Sequence, residues 1–441
     1  MPDLLVRVLL WDNLVGILRW DNRRQIASFQ YMPEYLDQNL PSINPLLLPL
    51  SNRVYEFPEL ARTKTFHGLP GVIADSLPEK FGNRILDAYL IKMSRSLDEL
   101  TPLERLCYQG NRGMGALEFE PVLDNAPGLD GAVELDVHDL VETAQAVLSE
   151  RKRVRANVES VSPDEASANI SSHQLETLIT VGTSAGGAKA KAVIAINPDT
   201  SEVRSGQSWV PDGFEHWLLK FDETDNEELP SKHQIGRLEF AYSEMAYAAG
   251  INMMECGLMD DGSRAHFMTR RFDRYENNSK AHVLSLAGMA HLDRDPPGEV
   301  GYERLFQVIR QLGLGQDSLD EMYRRMLFNI CSRNQDDHTK NHAFLMFGDG
   351  SWELSPAYDL CFSYKPGSRF IDLHQMSCNG KRDGFELSDL LAAAKMADVK
   401  KPLEMLEEVQ TAIADWDVFA NEAGVDENVA FSIGQLHRRF L

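Results

Sequence analysis

The feature that most constrains this chain is the stretch from Asn334 to Asn341, which reads Asn-Gln-Asp-Asp-His-Thr-Lys-Asn. Its Asp336 and Asn341 stand five residues apart, and a further acid, Asp359, follows after an apolar run at 343–347 and a Gly-Asp-Gly turn. Spacing alone leaves two interpretations open, a catalytic loop or an acidic, Asn-rich surface loop.

The catalytic interpretation has a definite chemistry. The separation of Asp336 and Asn341 is the one that protein-kinase catalytic loops use for their base and their metal-binding Asn. Phosphoryl transfer needs a carboxylate at the attacking hydroxyl, together with an amide and a second carboxylate that hold Mg²⁺ on the nucleotide. The rest of the chain must decide between this interpretation and the surface loop.

Length and charge narrow the class of protein. A chain of 441 residues with 43% hydrophobic and 25% charged residues has the composition of a soluble globular protein, and two or three domains are expected. Its net charge of −23 argues against unaided binding to nucleic acid or to an anionic membrane, because the field of the protein repels phosphate. A local basic patch or a basic partner could override this repulsion.

The five cysteines are odd in number and lie far apart, which indicates neither a disulfide framework nor a zinc site and suits a reducing cytoplasm. Arg7 and Asp12 interrupt the first apolar stretch, so we expect no signal peptide. No apolar run approaches the roughly 20 residues that a membrane span requires.

The first part of the chain alternates as strands do and then becomes helical. Strands are predicted at 4–10, 14–20 and 25–31, joined by Asp-Asn turns. Helical periodicity begins near 69 and runs to 90, and a glycine-rich turn covers 110–117. An amphipathic helix is predicted at 133–152, and the Ser-rich segment 159–172 that follows is predicted to be a connector or exposed loop.

Past this connector the pattern becomes strand, glycine loop, strand. The predicted strands lie at 178–181, 192–196, 217–221, 255–259 and 266–269, with a helix at 238–249. Everything beyond about residue 300 is predicted to be helical apart from the candidate catalytic loop and its short hairpin.

The glycine loop alone is only a weak indication of a phosphate-binding site. Gly186 and Gly187 would let backbone amides approach a phosphate closely. A phosphate-binding P-loop pattern nearly fits from Gly182, but Ala188 stands where the lysine belongs and a strand follows where a helix is required. In isolation the loop is better explained as a glycine hairpin without a ligand.

Lys220 closes an apolar strand after this loop, where it could neutralise nucleotide phosphates, or simply be a solvated charge at a strand end. Glu239, 19 residues further on, could pair with it, and Glu244 on the same predicted helix is the rival. The segment 270–272 is where a two-lobed site would cross between lobes, with its backbone on an adenine edge and Phe272 as an apolar wall. A charged turn with a core Phe would explain the same residues.

Two further polar side chains, His338 and Lys340, could contact phosphate or brace the loop. The order of the features favours an ATP-dependent phosphotransferase: glycine loop, strand lysine, helix glutamate, crossing strand, acid and amide, then a metal-binding acid.

The sequence resembles the HipA family, the bacterial serine/threonine-protein kinase toxins of type II toxin–antitoxin pairs, over nearly its whole length. The stretches that carry the resemblance are Ser-Ala-Gly-Gly-Ala-Lys-Ala-Lys at 184–191, Arg-Phe-Asp-Arg at 271–274, Asp-Asp-His-Thr-Lys-Asn at 336–341, Ser-Pro-Ala-Tyr-Asp at 355–359, Gly-Val-Ile-Ala-Asp-Ser-Leu-Pro at 71–78 and Gly-Met-Gly-Ala-Leu at 113–117.

The resemblance implies an α+β fold: a two-lobed, protein-kinase-like structure with an added N-terminal α/β subdomain and an all-helical C-terminal lobe. The corresponding boundaries are 1–125 for the N-terminal subdomain, 126–172 for a helix and connector, 173–275 for the N-lobe with the glycine loop, and 276–441 for the mainly helical C-lobe with the catalytic loop.

The resemblance also implies roles. Asp336 would be the catalytic base, and Asn341 and Asp359 the Mg²⁺ ligands. The residues implied to contact ATP are Gly186, Gly187, Ala188, Lys189, Ala190, Lys191, Lys220, Arg270, Arg271, Phe272, His338, Lys340 and Tyr358. Ser184 matches the serine that family members autophosphorylate, although the neighbouring Thr183 leaves the acceptor open by one residue.

Family members act beside a small helix-turn-helix antitoxin that contacts operator DNA, with the kinase as corepressor. The resemblance therefore implies a HipB-like partner, and a protein substrate in the translation apparatus such as an aminoacyl-tRNA synthetase, with growth arrest and persistence as the outcome. The Lys-Ala pair at 189–190 departs from residues common in relatives, which leaves the geometry of the glycine loop open. Arg270 replaces an acidic residue found in some members, so only backbone contacts are expected to persist at the adenine strand.

Two other functions stay open. One is a small-molecule phosphotransferase on the same two-lobed fold, and the other is a catalytically weak corepressor that acts mainly by binding its antitoxin and operator DNA. The N-terminal domain and Ser184 argue against the first, and the intact Lys220, Asp336, Asn341 and Asp359 argue against complete loss of activity.

Overall fold

The structure, a computed structural model, describes residues 4–92, 95–122, 139–144, 147, 182, 189–207, 209–222, 234–261 and 264–441. Its strands are β1 (Leu5–Leu10), β2 (Asn13–Asp21), β3 (Ile26–Tyr31), β4 (Tyr55–Glu56), β5 (Leu117–Pro121), β6 (Lys191–Ile196), β7 (Val203–Ser205), β8 (Glu215–Lys220), β9 (Cys256–Asp260), β10 (Ala265–Arg270), β11 (His282–Ser285), β12 (Ala343–Met346) and β13 (Trp352–Leu354). Its α-helices include α1 (Pro33–Asp37), α2 (Gly71–Ala74), α3 (Lys80–Lys92), α4 (Pro102–Gln109), α5 (Ile235–Ala248), α6 (Leu286–Ala290), α7 (Tyr302–Gln311), α8 (Gln316–Ser332), α9 (Leu387–Ala397), α10 (Pro402–Ala414), α11 (Trp416–Glu422) and α12 (Glu427–Gly434).

The first sheet is antiparallel, in the order β4-β3-β2-β1-β5. Its first hairpin turns at Trp11 and Asp12, whose φ angles of 49° and 62° are those of a tight two-residue turn with both residues left-handed. The predicted meander of three strands is confirmed, with its first turn one residue earlier than expected. The strand β5 was not predicted, because its pairing with β1 is a long-range contact that the local pattern does not show.

The second sheet is also antiparallel, in the order β7-β6-β8-β10-β9. Its strands β6, β8, β9 and β10 and the helix α5 confirm the predicted elements to within a few residues. The short edge strand β7 was missed. The predicted strand at 178–181 lies outside the described residues.

The connector is described only in part. Residues 139–144 are helical, which agrees with the amphipathic helix predicted at 133–152, and Leu140, Val141 and Ala144 are buried. They pack with α3 and with β6 and β8 in one apolar cluster. The Ser-rich segment 159–172 lies outside the described residues.

The C-terminal lobe is mainly helical, but the expectation of an all-helical lobe needs correction. A three-stranded antiparallel sheet, β11-β12-β13, lies within it, formed when the predicted hairpin pairs with the unpredicted strand β11. Residues 355–386 form neither helices nor extended strands. Within them, Gly367, Gly380 and Gly384 have φ between 60° and 78°, a backbone conformation that a regular helix or strand excludes.

One apolar core joins the first sheet to the C-terminal helices. It runs from residues such as Val8 and Phe29 through Leu238 to Phe328 and Leu406. The N-terminal unit, by which we mean the described part of residues 4–122, is therefore packed directly against the rest of the chain. None of the helices in the described ranges combines the length and the apolar character needed to cross a membrane.

Candidate active site

Lys220, the last residue of β8, lies between two carboxylates. Its Nζ contacts Glu239 Oε1 from α5 and Asp359 Oδ1, which follows β13. Lys220 and Glu239 are buried, at 7% and 2% exposed. Burial alone would lower the pKa of Lys220, but the two carboxylates outweigh it and raise that pKa, so the lysine is charged. The structure thus resolves the choice between Glu239 and Glu244 in favour of Glu239.

Asp359 is the accessible member of this group. Its side chain is 41% exposed, and its φ of 58° places a non-glycine residue in the left-handed region. Burial of the surrounding cleft works to raise its pKa, but Lys220 and then Lys191 outweigh that effect and hold the pKa below its usual range. Asp359 is therefore an ionised carboxylate with an open side, which suits a metal ligand.

The candidate catalytic loop begins where α8 ends. Arg333 ends the helix in the left-handed conformation, with φ 61°. Three hydrogen bonds then close the loop: Asn341 Nδ2 and the His338 amide donate to Asp336 O at 2.8 and 2.9 Å, and the Asn341 amide donates to His338 O at 2.8 Å. Because its nitrogen is used in this way, Asn341 has its amide oxygen left for a cation.

Asp336 and Asp337 are adjacent but differ in environment. Burial, together with Asp359, raises the pKa of Asp336 against the opposing effect of His338. The Asp337 carboxylate is 1% exposed and accepts hydrogen bonds from Tyr302 Oη at 2.7 Å and His374 Nδ1 at 3.0 Å. Asp337 is therefore the anchor of the loop, whereas Asp336 has the raised pKa expected of a base that must accept a proton.

Two lysines, Lys191 at the start of β6 and Lys189 just before it, lie near this group of carboxylates. Lys191 lies opposite Lys220 in the antiparallel register, so the two side chains emerge on the same face of the sheet. Burial and the nearby Lys220 lower the pKa of Lys191. Lys189 is influenced by Glu239 and Asp359, which raise its pKa against burial. Ala190 between them packs its side chain into the apolar cluster of α3, so only its backbone could meet a nucleotide.

Several candidate residues lie outside the described residues. These are Thr183, Ser184, Gly186, Gly187 and Ala188.

The two arginine side chains of the expected adenine strand are paired with carboxylates, and its expected backbone contact with adenine stays a prediction. Arg270 forms surface ion pairs with Glu215 at 3.2 Å and Glu255 at 3.6 Å. Arg271 is 3% exposed and forms a bidentate pair with Asp273, at 2.8 and 2.7 Å. Both guanidinium groups therefore form ion pairs with carboxylates.

Asp273 joins this strand to the N-terminal unit. The Gly115 amide donates to Asp273 Oδ2 at 2.6 Å, and Arg274 donates to the carbonyl oxygens of Gly113 and Gly115 at 2.9 and 3.0 Å. Burial would raise the pKa of Asp273, but Arg271 and Arg274 hold it well below its usual range. The Arg-Phe-Asp-Arg motif thus has a structural role, docking onto the glycine turn at 113–115.

Phe272, which follows Arg271, faces the residues of the cleft. Its ring centroid lies 5.7 Å from that of Tyr358, and Tyr358 Oη donates to Lys340 O at 2.7 Å. The two rings offer an apolar wall beside Asp359. Burial raises the pKa of Tyr358, so it remains a neutral donor.

Lys340 braces the loop, the second of the two roles considered for it. Its Nζ donates to Glu79 Oε1 at 2.8 Å and lies 3.9 Å from Asp75 Oδ1. Sequence reasoning missed Glu79, because residues 79 and 340 are 261 positions apart and no periodic pattern joins them. It also missed Arg294, which lies 3.7 Å from Glu79. The one feature of the sequence that could have drawn attention to Glu79 is its position directly after the 71–78 motif.

The comparisons with known proteins agree along the chain. Residues 6–120 match the HipA N-terminal domain family, and residues 183–416 match the HipA-like C-terminal domain family. No curated protein sequence matches the chain.

The solved structures that match include a toxin–antitoxin complex and a kinase. The Shewanella oneidensis MR-1 toxin–antitoxin complex of HipA, HipB and operator DNA contains a chain that is 17% identical, with 98% of this chain and 95% of that chain covered and a TM-score of 0.64. The Helicobacter pylori proinflammatory kinase CtkA is 11% identical, with 50% and 91% covered and a TM-score of 0.31, which is too low to support an argument. The first likeness concerns the fold, whereas the two domain matches together span most of the sequence and the C-terminal one alone spans more than half of it. The chain therefore belongs to the HipA family.

Proposed function

We propose that this protein is an ATP- and Mg²⁺-dependent protein serine/threonine kinase and the toxin of a type II toxin–antitoxin pair. The observation that carries the proposal is the position of Lys220, in contact with both Glu239 and Asp359. In kinases, a strand lysine paired with a helix glutamate, together with a metal-binding acid, marks the assembled nucleotide site.

The residues present fit the nucleotide and its metal. Lys220, Lys189 and Lys191 would neutralise phosphate oxygens, and Phe272 and Tyr358 would flank the base. Mg²⁺ prefers carboxylate and amide oxygens and keeps its other positions for water and phosphate, so Asp359 and the Asn341 amide oxygen suit it. When bound, the ion neutralises charge on the phosphates.

Asp336 is the proposed base. A serine or threonine hydroxyl oxygen attacks the γ-phosphorus, the bond from that phosphorus to the bridging oxygen breaks, and ADP leaves. The hydroxyl proton passes to the Asp336 carboxylate. Its raised pKa favours this proton transfer, and the anchoring of Asp337 keeps the loop in position.

The same site could act on its own glycine loop. Phosphate on Ser184, or on Thr183 beside it, would add a charge of about −1.5 to −2. A phosphorylated loop would leave the phosphate-binding position, and the kinase would switch itself off.

The proposed partners are a small helix-turn-helix antitoxin like HipB, and operator DNA bound mainly through that antitoxin. The similar Shewanella structure contains HipB and operator DNA. The net charge of −23 here suits a basic partner that carries the DNA contacts. The proposed substrate is a cytoplasmic protein of the translation apparatus, such as an aminoacyl-tRNA synthetase, whose phosphorylation would arrest growth and promote persistence.

The test of the nucleotide site is ATP binding by calorimetry with and without Mg²⁺. Wild-type protein should bind ATP more tightly with Mg²⁺, and Asp359→Asn should remove most of that difference while retaining some metal-independent binding through the lysines. Glu244→Gln, on the same helix as Glu239 but outside the site, is the matched control and should bind as the wild type does. No ATP binding by the wild-type protein would rule out the kinase.

A further inference from the structure

The motif at 71–78 docks against the catalytic half of the chain through two glycines. A Cβ atom added to Gly71 would lie 2.6 Å from Gly288 O, so α2 and α6 touch through their backbones. The Gly71 amide donates to His291 Nε2 at 2.9 Å, and Asp75 Oδ2 accepts from the Ser285 amide at 2.8 Å. The contact leaves no room for the two helices to shift without separating.

The helix α6 in turn carries the catalytic loop. The Leu286 amide donates to His342 O at 2.7 Å, and the Ala287 amide donates to Thr339 O at 3.2 Å. These residues lie on either side of Lys340 and Asn341. The N-terminal unit is thus one step removed from the loop backbone, through α6.

Glu79 brings the N-terminal unit into direct contact with the catalytic loop. It follows the motif and immediately precedes α3, and its carboxylate lies 2.8 Å from Lys340 Nζ and 3.7 Å from Arg294 Nη1. Its side chain is only 18% exposed, and that of Lys340 13%. An ion pair so little exposed to solvent is weakly screened and holds a defined geometry.

Glu79 and Asp336 are influenced by some of the same neighbouring side chains. Burial would raise the pKa of Glu79, but Lys340 and Arg294 outweigh it, with a smaller contribution from His338, and lower it to about 2. Burial raises the pKa of Asp336, and His338 and Arg294 oppose that rise. One anion from the N-terminal unit and the candidate base are therefore influenced by the same two side chains, His338 and Arg294.

We propose that Glu79 is a positioning residue of the phosphotransfer site. By holding Lys340, and with it Arg294, it fixes the loop that carries Asp336 and Asn341, so the N-terminal unit is part of the catalytic assembly. This inference rests on the proposed kinase activity, and it assigns to the 71–79 segment a role in turnover in addition to its role in packing.

The test compares Glu79→Gln with the wild type for phosphate transfer from Mg-ATP and for ATP affinity. A displaced loop should lower the rate on the order of 10- to 100-fold, because small errors in the placement of reacting groups are costly. ATP affinity measured without Mg²⁺ should change by less than about twofold, since the lysines proposed to meet the phosphates, Lys189, Lys191 and Lys220, are untouched. The double variant Glu79→Gln/Lys340→Met should be no slower than the slower single variant, because both remove the same contact.

Glu118→Gln is the matched control. Glu118 also belongs to the N-terminal unit and also pairs with a lysine beyond it, Lys280 at 2.7 Å, with both side chains about a quarter exposed. It should transfer phosphate at the wild-type rate. A wild-type rate in Glu79→Gln, or a loss explained by its unfolded fraction, would overturn the proposal.

Amide hydrogen exchange over 336–342 separates this inference from the kinase proposal. Glu79→Gln should exchange faster there than the wild type and Glu118→Gln, whether or not the protein transfers phosphate. If the wild type proves inactive but this difference is found, the kinase proposal fails and the Glu79 contact stands as a structural clamp. Unchanged exchange in an inactive protein would overturn both.

Discussion

At the scale of single residues, Lys220 neutralises two carboxylates of unequal exposure. The Glu239 side chain is 3% exposed and that of Asp359 is 41% exposed. Water can solvate Asp359 if the lysine is lost, but it cannot reach Glu239. The lysine therefore contributes to stability chiefly through Glu239.

Lys220→Met should accordingly destabilise the protein by about 3 kcal/mol, the cost of leaving a buried charge without its partner. Lys220→Met/Glu239→Gln should recover most of that loss, because the amide carries no charge to be solvated. Denaturant unfolding of the two variants and the wild type measures this. Equal stability of the single and double variants would mean that Glu239 does not need the lysine.

At the scale of elements, α6 lies between the N-terminal unit and the catalytic loop. Gly288, in the middle of this helix, has no free space for a side chain: a Cβ atom there would lie 2.4 Å from Asp75 Oδ2 and 2.6 Å from Leu284 Cδ1. The side chains of Asp75 and Leu284, or the elements that carry them, must move to make room for it. The helix is therefore the point at which the docking of the N-terminal unit can be weakened without changing a charge.

Gly288→Ala should destabilise the protein by about 1–3 kcal/mol, as overpacking does. Gly348→Ala is the control, because no atom lies within 4 Å of a Cβ placed there and its φ is not left-handed. It should change the unfolding free energy by less than about 0.5 kcal/mol. A wild-type thermal midpoint for Gly288→Ala would contradict tight packing of α6 against Asp75 and Leu284.

The elements themselves were largely predictable, whereas their contacts were not. Alternating apolar residues predicted β1, β2 and β3, and the short polar segments between them predicted their turns. The pairing of Glu79 with Lys340 and the docking of Asp273 on Gly115 depend on residues more than 150 positions apart. No local periodicity encodes such contacts, so sequence reasoning identified the loop and the strand lysine but missed what holds them in place.

At the scale of the whole molecule, burial keeps several histidines neutral. The pKa values of His216, His282, His291, His342 and His437 are all lowered to about 4, with burial as the largest cause in each case. In the unfolded chain these side chains titrate near pH 6.5. Because the unfolded state binds protons that the folded state does not, the stability from these groups is present above pH 6.5 and is lost as the pH falls towards 4.

The unfolding free energy should therefore fall between pH 7 and pH 5. His282→Gln removes one group that takes up a proton on unfolding. Where the unfolded histidine is fully protonated, the slope of the unfolding free energy against pH should be smaller by about 1.4 kcal/mol per pH unit. The amide of glutamine can still donate to Ile43 O, as His282 Nε2 does at 3.0 Å, so the variant should fold. Denaturant unfolding across this pH range is the measurement, and a flat profile would contradict the account.

The most direct test of the central claim is mass spectrometry of the peptide from Gly182 to Lys189 after incubation with Mg-ATP. Wild-type protein and Asp336→Gln are treated alike. We expect phosphate on Ser184, or on Thr183, in the wild type alone. A wild-type peptide that stays unmodified, or equal phosphate in Asp336→Gln, would contradict a self-phosphorylating kinase whose base is Asp336.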